Sequence, residues 1–426
     1  MSGPRLRMDE FGYELPPSAI AHVPTEPRDA ARLLVDRGPG KAPEHRRISD
    51  LGALLEAGDL LVVNETRVMP ARLPLRKRTG GTAEVLLLEP LAAGATAGSL
   101  AAAARRAASE IVPDRAGGES LRAAGAPGGG SVLWAALVRP SRRIADGTVL
   151  VSERDPNVEV VVGTRLDRQR RAVRVLVGGA PLVDASQTRL LERAGETPLP
   201  PYIDADTVRS AVAQRIGVDA PDGDATRAAL ADRYQTVYAR ADGSAAAPTA
   251  GLHLTERVLD ALRSKGVGVA TVDLTVGLAT FAPVTAEYAD EHEMHTEHYR
   301  VPAETLAACA GAERVVAVGT TTVRALEAAA RQQRLACRHD GDDPGADDRR
   351  NADVCGSTDL FLQRGEEFLV VDAMLTNFHL PRSSLLLLID AFIGPRWRDL
   401  YEAALAEGYR FLSFGDAMLL RRGGEQ

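Results

Sequence analysis

The spacing of apolar residues changes part-way along this chain, and that change restricts its fold more than any other feature. Before residue 178 the apolar residues fall in short runs punctuated by turn signals. GDLLVVNETRVMPARL predicts a buried strand over 60–63 leading into a polar loop, and EVLLLEP predicts another after the turn at Gly80 and Gly81. Further strands are expected over 132–138, 148–151, 158–162 and 172–177, a series that suits a small barrel or sandwich. From Pro198 onward helix alternates with strand. Thr255 is positioned to cap a helix with Val258, Leu259 and Leu262 on its apolar face, and Gly266 to end it. A strand over 267–276, a strand over 314–319 and a helix from Thr320 to Arg331 follow. Ser383 or Ser384 can cap a leucine-rich helix to Phe392, with an amphipathic helix over 398–407. This alternation implies an α/β layer or barrel with a largely parallel sheet.

Charge divides along the same line. Residues 68–196 hold 19 basic and 13 acidic side chains, a net of +6, which leaves −13 on the rest of a chain whose total is −7. The total argues against coating nucleic acid by bulk charge but leaves a local patch open. All but Lys41, Lys77 and Lys265 of the 51 basic residues are arginine, so arginine richness is a property of the whole chain. Three widely spaced cysteines, Cys309, Cys337 and Cys355, form neither a disulfide framework nor a zinc pair, which suits a reducing compartment. The start of the chain carries acids and prolines where a secretory signal needs an apolar run, and no run approaches the length of a membrane span. A soluble cytoplasmic protein is expected. The Ala- and Gly-rich stretch 91–130 reads as a mobile insertion with one short helix around 101–108, and 340–353 as a solvated acidic loop.

Few residues carry recognisable chemistry. His253, in APTAGLHLTE, lies just before a helix N-terminus, where a neutral imidazole is favoured; a turn histidine bonding only backbone is the competing reading. His292, His295 and His298 in EHEMHTEHY are spaced by three, but without an HExxH or a nearby cysteine, and no metal is expected. His379, in LTNFHLPRS, sits in a strand-to-turn loop of the kind that carries site residues. Phosphate loops and dinucleotide fingerprints are absent. VVAVGTTTVRALE nevertheless places Gly319 and three hydroxyls at a strand-to-helix turn, suited to an anion or to ordinary capping. Two basic clusters, Arg72, Arg76, Lys77 and Arg78, then Arg139, Arg142 and Arg143, can track a phosphate backbone or simply face solvent.

The strings NETRVMPARL, TGGTAEVLLL, WAALVRPSRR, ETPLPPYI, RYQTVYA, AAPTAGLHLTE, TVGLATFAPV, EHEMHTEHY, VVAVGTTTVRALE, LTNFHLPRSSLLLLIDAF and GYRFLSFGDAMLL resemble, in order, the blocks of one family. It is the S-adenosylmethionine:tRNA ribosyltransferase-isomerase family of queuosine biosynthesis. The resemblance runs from Phe11 to Leu420, apart from 91–130, 340–353 and a variable stretch near 204–230. It implies a larger α/β, barrel-like domain over 1–67 and 197–426, interrupted by a smaller basic β-barrel-like domain over 68–196. It implies transfer and isomerisation of the ribosyl part of S-adenosylmethionine onto 7-aminomethyl-7-deazaguanine at the tRNA wobble position, giving epoxyqueuosine-tRNA, adenine and methionine. S-adenosylmethionine is then a consumed substrate, with no cofactor and no metal, and the expected protein is a monomer.

That chemistry asks for a base near the sulfonium carbon and an acid for departing adenine. The resemblance points to His253, His295 and His379 for these roles, with Glu297 or Asp416 orienting them. Thr249, Gly251, Gly319, Thr320, Thr321, Arg324 and Asn377 are the expected substrate contacts, Arg324 and the glycine–threonine turn for a carboxylate or phosphate. Asn64, Thr66 and Arg67, at the junction of the two sequence regions, are expected to contact the substrate base. Arg76, Lys77, Arg78, Arg142 and Arg143 are expected to hold tRNA. Two positions depart from the family pattern HVGxGTF: Thr275 stands in place of an imidazole and Ala279 in place of a glycine. A diverged enzyme using a non-tRNA acceptor and a non-catalytic RNA-binding protein are the alternative readings. The retained histidine blocks and the 4% aromatic content weigh against the last.

Overall fold

A computed structural model describes residues 5–91, 132–167, 170–182, 191–277, 284–292, 294, 296–340 and 352–423, with only the backbone of 336–340. The expected helix around 101–108 and most of the acidic loop 340–353 lie outside these residues. The chain forms two compact units, one of residues 1–67, 199–241 and 247–426, the other of 68–198 and 242–246.

Eighteen strands occur among the described residues: β1 Arg32–Val35, β2 Glu44–Arg47, β3 Asp59–Asn64, β4 Thr66–Val68, β5 Arg72–Lys77, β6 Thr82–Leu91, β7 Leu133–Arg139, β8 Val149–Ser152, β9 Val158–Arg165, β10 Arg170–Val177, β11 Ala180–Pro181, β12 Ala241–Ser244, β13 Gly268–Leu274, β14 Glu297–Val301, β15 Arg314–Val318, β16 Val354–Thr358, β17 Ala373–Asn377 and β18 Ala417–Arg421. The helices are α1 Leu51–Leu54, α2 Ala205–Ile216, α3 Asp224–Arg233, α4 Glu256–Ser264, α5 Ala303–Gly311, α6 Thr320–Asp340, α7 Ser384–Ile393 and α8 Trp397–Ala406.

In the first unit nine strands form one sheet in the order β16-β14-β13-β3-β15-β17-β18-β1-β2. Strands β13, β3, β15 and β17 run parallel, β14 and β16 pair antiparallel with their neighbours, and β18 is antiparallel to β17 but parallel to β1. The sheet is therefore open and mixed, not the barrel-like, largely parallel arrangement expected. The physical reason lies at its edges. Among the described residues its outermost strands, β16 and β2, do not pair with each other; each ends the sheet in an antiparallel pair, β14–β16 and β1–β2, and β18 reverses direction against β17.

Strand β3 is buried at all six positions, as a central parallel strand covered on both faces must be. Leu61, Val63, Val316, Val318, Ala373 and Leu375 alternate onto one face and pack with Leu51, Val258, Leu259 and Leu262 of α1 and α4. Helix α6 packs against β13, β14, β15 and β16. Thr255 caps α4 by accepting from Val258 N at 3.3 Å, and Ser383 caps α7 by accepting from Leu386 N at 3.3 Å. Helices α2 and α3 fall in the stretch that had no clear pattern. Asp204 caps α2 through Thr207 N at 2.8 Å, and Gly217 ends it at φ +72°.

In the second unit β10, β7, β6, β5, β8 and β9 pair in turn and β9 returns to β10, closing a six-stranded antiparallel barrel. Its core holds Trp134, Leu73, Val85, Val160 and Val175. One buried cation crosses it at the edge. Arg171 donates to Gly163 O at 3.0 Å and Ile144 O at 2.6 Å and pairs with Asp146, tying the 141–146 turn to the barrel wall. A buried guanidinium is tolerated there because carbonyls and a carboxylate satisfy it.

Candidate functional site

Three of the parallel strands end at one place. The residues just beyond the carboxyl ends of β13, β15 and β17 line a cleft enclosing about 600 Å³ up to its open mouth. Ligands of open α/β sheets bind in this position. Val276, Gly319, Thr320, Thr321, Asn377 and His379 form part of its wall. Gly319 takes φ +89°, which a side chain disfavours, and its N–H donates to Leu375 O at 2.7 Å. That turn opens α6, so Thr320 and Thr321 stand at the positive end of a 21-residue helix.

Asn377 is the pivot of the site. Its Nδ2 donates to His253 Nε2 at 3.0 Å and to Leu412 O at 3.1 Å, and its Oδ1 accepts from Thr249 Oγ1 at 3.1 Å. Leu412 holds a left-handed φ of +71°, fixed from the other side by its N–H on Phe378 O at 3.2 Å. His253 is thus buried behind Asn377 and does not line the cleft. Burial, and then the charges of Arg233, Arg410 and Arg28, push its ring down to about 3, so it is neutral at pH 7. Its Nε2 accepts from Asn377, which places the ring proton on Nδ1.

His379 does line the cleft. Its Nε2 lies 3.0 Å from Thr376 Oγ1, its N–H donates to Tyr401 Oη at 3.0 Å, and its carbonyl accepts from Tyr13 Oη at 2.5 Å. Burial pushes this ring, too, down to about 3. Tyr202 and Ser413 complete the wall, their hydroxyls 2.6 Å apart. Sequence reasoning passed over both, although each lies within a quoted block.

The other expected site residues that the structure describes do not line the cleft, although Asn64 touches its wall at Thr321. Gly251 is buried against Tyr238; a Cβ there would meet the Tyr238 hydroxyl at 1.9 Å, so glycine is required by packing. Asp416 accepts from the backbone N–H groups of Arg32 at 2.9 Å and Arg410 at 2.8 Å and does not line the cleft. Asn64 is buried at the end of β3, donating to Leu274 O at 3.0 Å and accepting from Leu274 N at 3.1 Å. Thr66 is buried and bonds Asp273, whose carboxyl is pushed up to about 6 by burial and by Glu65. Arg67 is half-buried. Thr275 donates its N–H to His298 O at 3.0 Å beside the cleft residue Val276. His295 and Ala279 lie outside the described residues. His298 sits on strand β14, exposed, so EHEMHTEHY is not a helical face.

A second hollow shares Leu385 with the first. Arg324, one turn along α6 from Thr320, and Glu297, on β14, form a buried ion pair in its wall. Sequence reasoning had assigned these two residues separate roles. Arg324 Nε donates to Leu360 O at 3.2 Å, while its Nη2 has no hydrogen-bond partner among the described residues. A buried donor left unmade costs about 1–3 kcal/mol.

In the barrel unit the two basic clusters meet. Lys77 Nζ donates to Arg143 O at 2.5 Å, and Arg142 and Arg143 are exposed on the turn that Arg171 anchors. Arg76 pairs with Glu153 at 3.0 Å and Arg78 with Glu159 at 2.5 Å, so part of this charge is neutralised at home.

The depressed ring of His379 makes stability depend on pH. An unfolded histidine takes up a proton near pH 6.5, whereas the folded ring does so only near 3. The unfolded state binds more protons between these values, so this stability is complete above pH 6.5 and is lost as pH falls toward 3. In urea unfolding, the stability difference between wild type and His379→Gln should therefore shrink or reverse across that window. A difference constant with pH would contradict the neutral, buried ring.

The sequence matches the family model of queuosine biosynthesis proteins over residues 8–420. S-adenosylmethionine:tRNA ribosyltransferase-isomerase of Moorella thermoacetica is 41% identical, covering 97% of this chain and 100% of that protein. The enzyme of the same name from Sorangium cellulosum is 43% identical over 98% of this chain and 99% of that protein. A crystal structure of the S-adenosylmethionine tRNA ribosyltransferase of Thermotoga maritima is 31% identical, covering 96% of this chain and 99% of that one, with a TM-score of 0.44. The chain belongs to the S-adenosylmethionine:tRNA ribosyltransferase-isomerase family of queuosine biosynthesis.

Proposed function

We propose that this chain transfers and isomerises the ribosyl moiety of S-adenosylmethionine onto 7-aminomethyl-7-deazaguanine in the tRNA wobble position, releasing adenine and methionine. Family membership across nearly the whole chain carries the reading. The strand-end cleft, walled by Asn377, His379, Thr320 and Thr321, supports it as the reaction site. S-adenosylmethionine supplies both the sugar and the activating sulfonium, so the reading needs no further cofactor. A tRNA substrate places the work in the cytoplasm.

The geometry supports a role for each of these residues. The sulfonium acidifies the adjacent ribosyl carbon, and His379, which lines the cleft and is neutral at pH 7, offers a ring nitrogen there as a weak base. The imidazolium so formed is strongly acidic and returns the proton readily to the departing adenine. His253 acts through Asn377 as a positioning residue, holding the carboxamide with one N–H on Leu412 O. Thr320 and Thr321 offer hydroxyls at the helix terminus to the ribosyl and adenine oxygens and nitrogens. The attacking amine must arrive neutral to act as a nucleophile.

Incubating purified protein with S-adenosylmethionine and tRNA carrying the aminomethyl base tests the reading. Adenine should appear only when that tRNA is present, and His379→Ala should slow its release by about 10² to 10⁴. Tight tRNA binding without adenine release would overturn it.

The basic end of the barrel is the proposed contact for tRNA phosphates, through Arg76, Lys77, Arg78, Arg142 and Arg143. Affinity for tRNA should then fall steeply with salt, and changing Arg76, Lys77 and Arg78 to Gln should lower the log–log slope by about 2. A slope unaltered by the triple change would place the contact elsewhere.

A further inference from the structure

The second hollow has a chemistry the strand-end cleft lacks. Its lining combines the Arg324–Glu297 pair and Ser384 with the apolar side chains of Met294, Leu362 and Leu388. Arg324 is 3% exposed and two of its three nitrogens are committed, Nε to Leu360 O and Nη1 to Glu297. Nη2 is left with no acceptor among the described residues, although the side chain forms part of the hollow's wall. Buried donors are nearly always satisfied, so an unmade bond in a cavity wall points to a missing acceptor. A guanidinium with a spare N–H beside a carboxylate presents both signs of charge within one small space. That suits a zwitterion, with a carboxylate on Arg324 and an ammonium in the field of Glu297. The apolar walls suit an unbranched, thioether-like chain.

We propose that this hollow is the amino-acid subsite, binding the methionyl end of the sulfonium substrate and, after reaction, free methionine. The assignment rests on S-adenosylmethionine being the substrate. Leu385 belongs to both hollows, and Thr320 and Arg324 lie one turn apart on α6, so one extended ligand can reach from the first to the second. The nucleoside then lies at the strand ends and the amino acid on the pair.

Calorimetric titration of the full-length protein with S-adenosylmethionine, its decarboxylated analogue and L-methionine tests the assignment. Removing the carboxylate should weaken binding about 10- to 100-fold, the worth of one charged hydrogen bond. Arg324→Lys keeps a cation beside Glu297 but loses the second N–H, so the two sulfonium ligands should then bind within a few-fold of each other. L-methionine should bind wild type and fail to bind the variant. Equal binding of the two sulfonium ligands to wild type would overturn the subsite without a variant that must fold. So would discrimination unchanged in Arg324→Lys. If neither sulfonium ligand binds, the substrate reading falls, and methionine binding lost in Arg324→Lys still reports on the subsite by itself.

Discussion

The carboxamide of Asn377 is the interaction on which the site depends. It ends β17 and joins three segments far apart in sequence: the 249–253 turn through Thr249 and His253, the 412 turn through Leu412 O, and its own strand. An amide is suited to this because it donates and accepts at once. Each bond is modest, about 1 kcal/mol net, but an unmatched partner left buried costs about 1–3 kcal/mol. The neutral state of His253 follows from the same arrangement. Its Nε2 must accept from Asn377, and the nearby arginines Arg233, Arg410 and Arg28 oppose any positive charge on it.

Much of this was legible in the residues, and the reasons are physical. The helix starts at Thr255, Ser383 and Thr320 were readable because capping is local chemistry, settled within three or four residues. The barrel strands were readable because alternation and turn glycines are likewise local. Whether the larger sheet closed was not. It depends on the pairing of β18 with β1, a choice made between segments hundreds of residues apart. Helices α2 and α3 were missed because their apolar faces are weak; only Val208, Val212 and Ala213 of α2 are buried among its twelve residues.

The site shows the same division. Residue type marked His253, His379, Asn377 and the glycine–threonine turn, yet type does not tell a lining residue from the one behind it. His253 and Asn377 differ by one hydrogen bond in depth, and no spacing encodes that. Gly251 was expected beside substrate, but the Tyr238 hydroxyl already occupies the space a side chain would need. Glu297 and Arg324 were assigned separate tasks because 27 residues divide them; the fold turns them into one buried pair. Tyr202 and Ser413 became visible only when the cleft brought their hydroxyls together.

The account's central claim is spatial: the nucleoside sits at the carboxyl ends of β13, β15 and β17, and the amino acid on the Arg324–Glu297 pair. A crystal structure of the full-length protein with S-adenosylmethionine bound tests it directly. The account predicts the ribose within hydrogen-bond reach of the cleft wall that holds His379 and Thr321, and a carboxylate oxygen on Arg324 Nη2. Electron density for the ligand elsewhere, with both hollows empty, would contradict it.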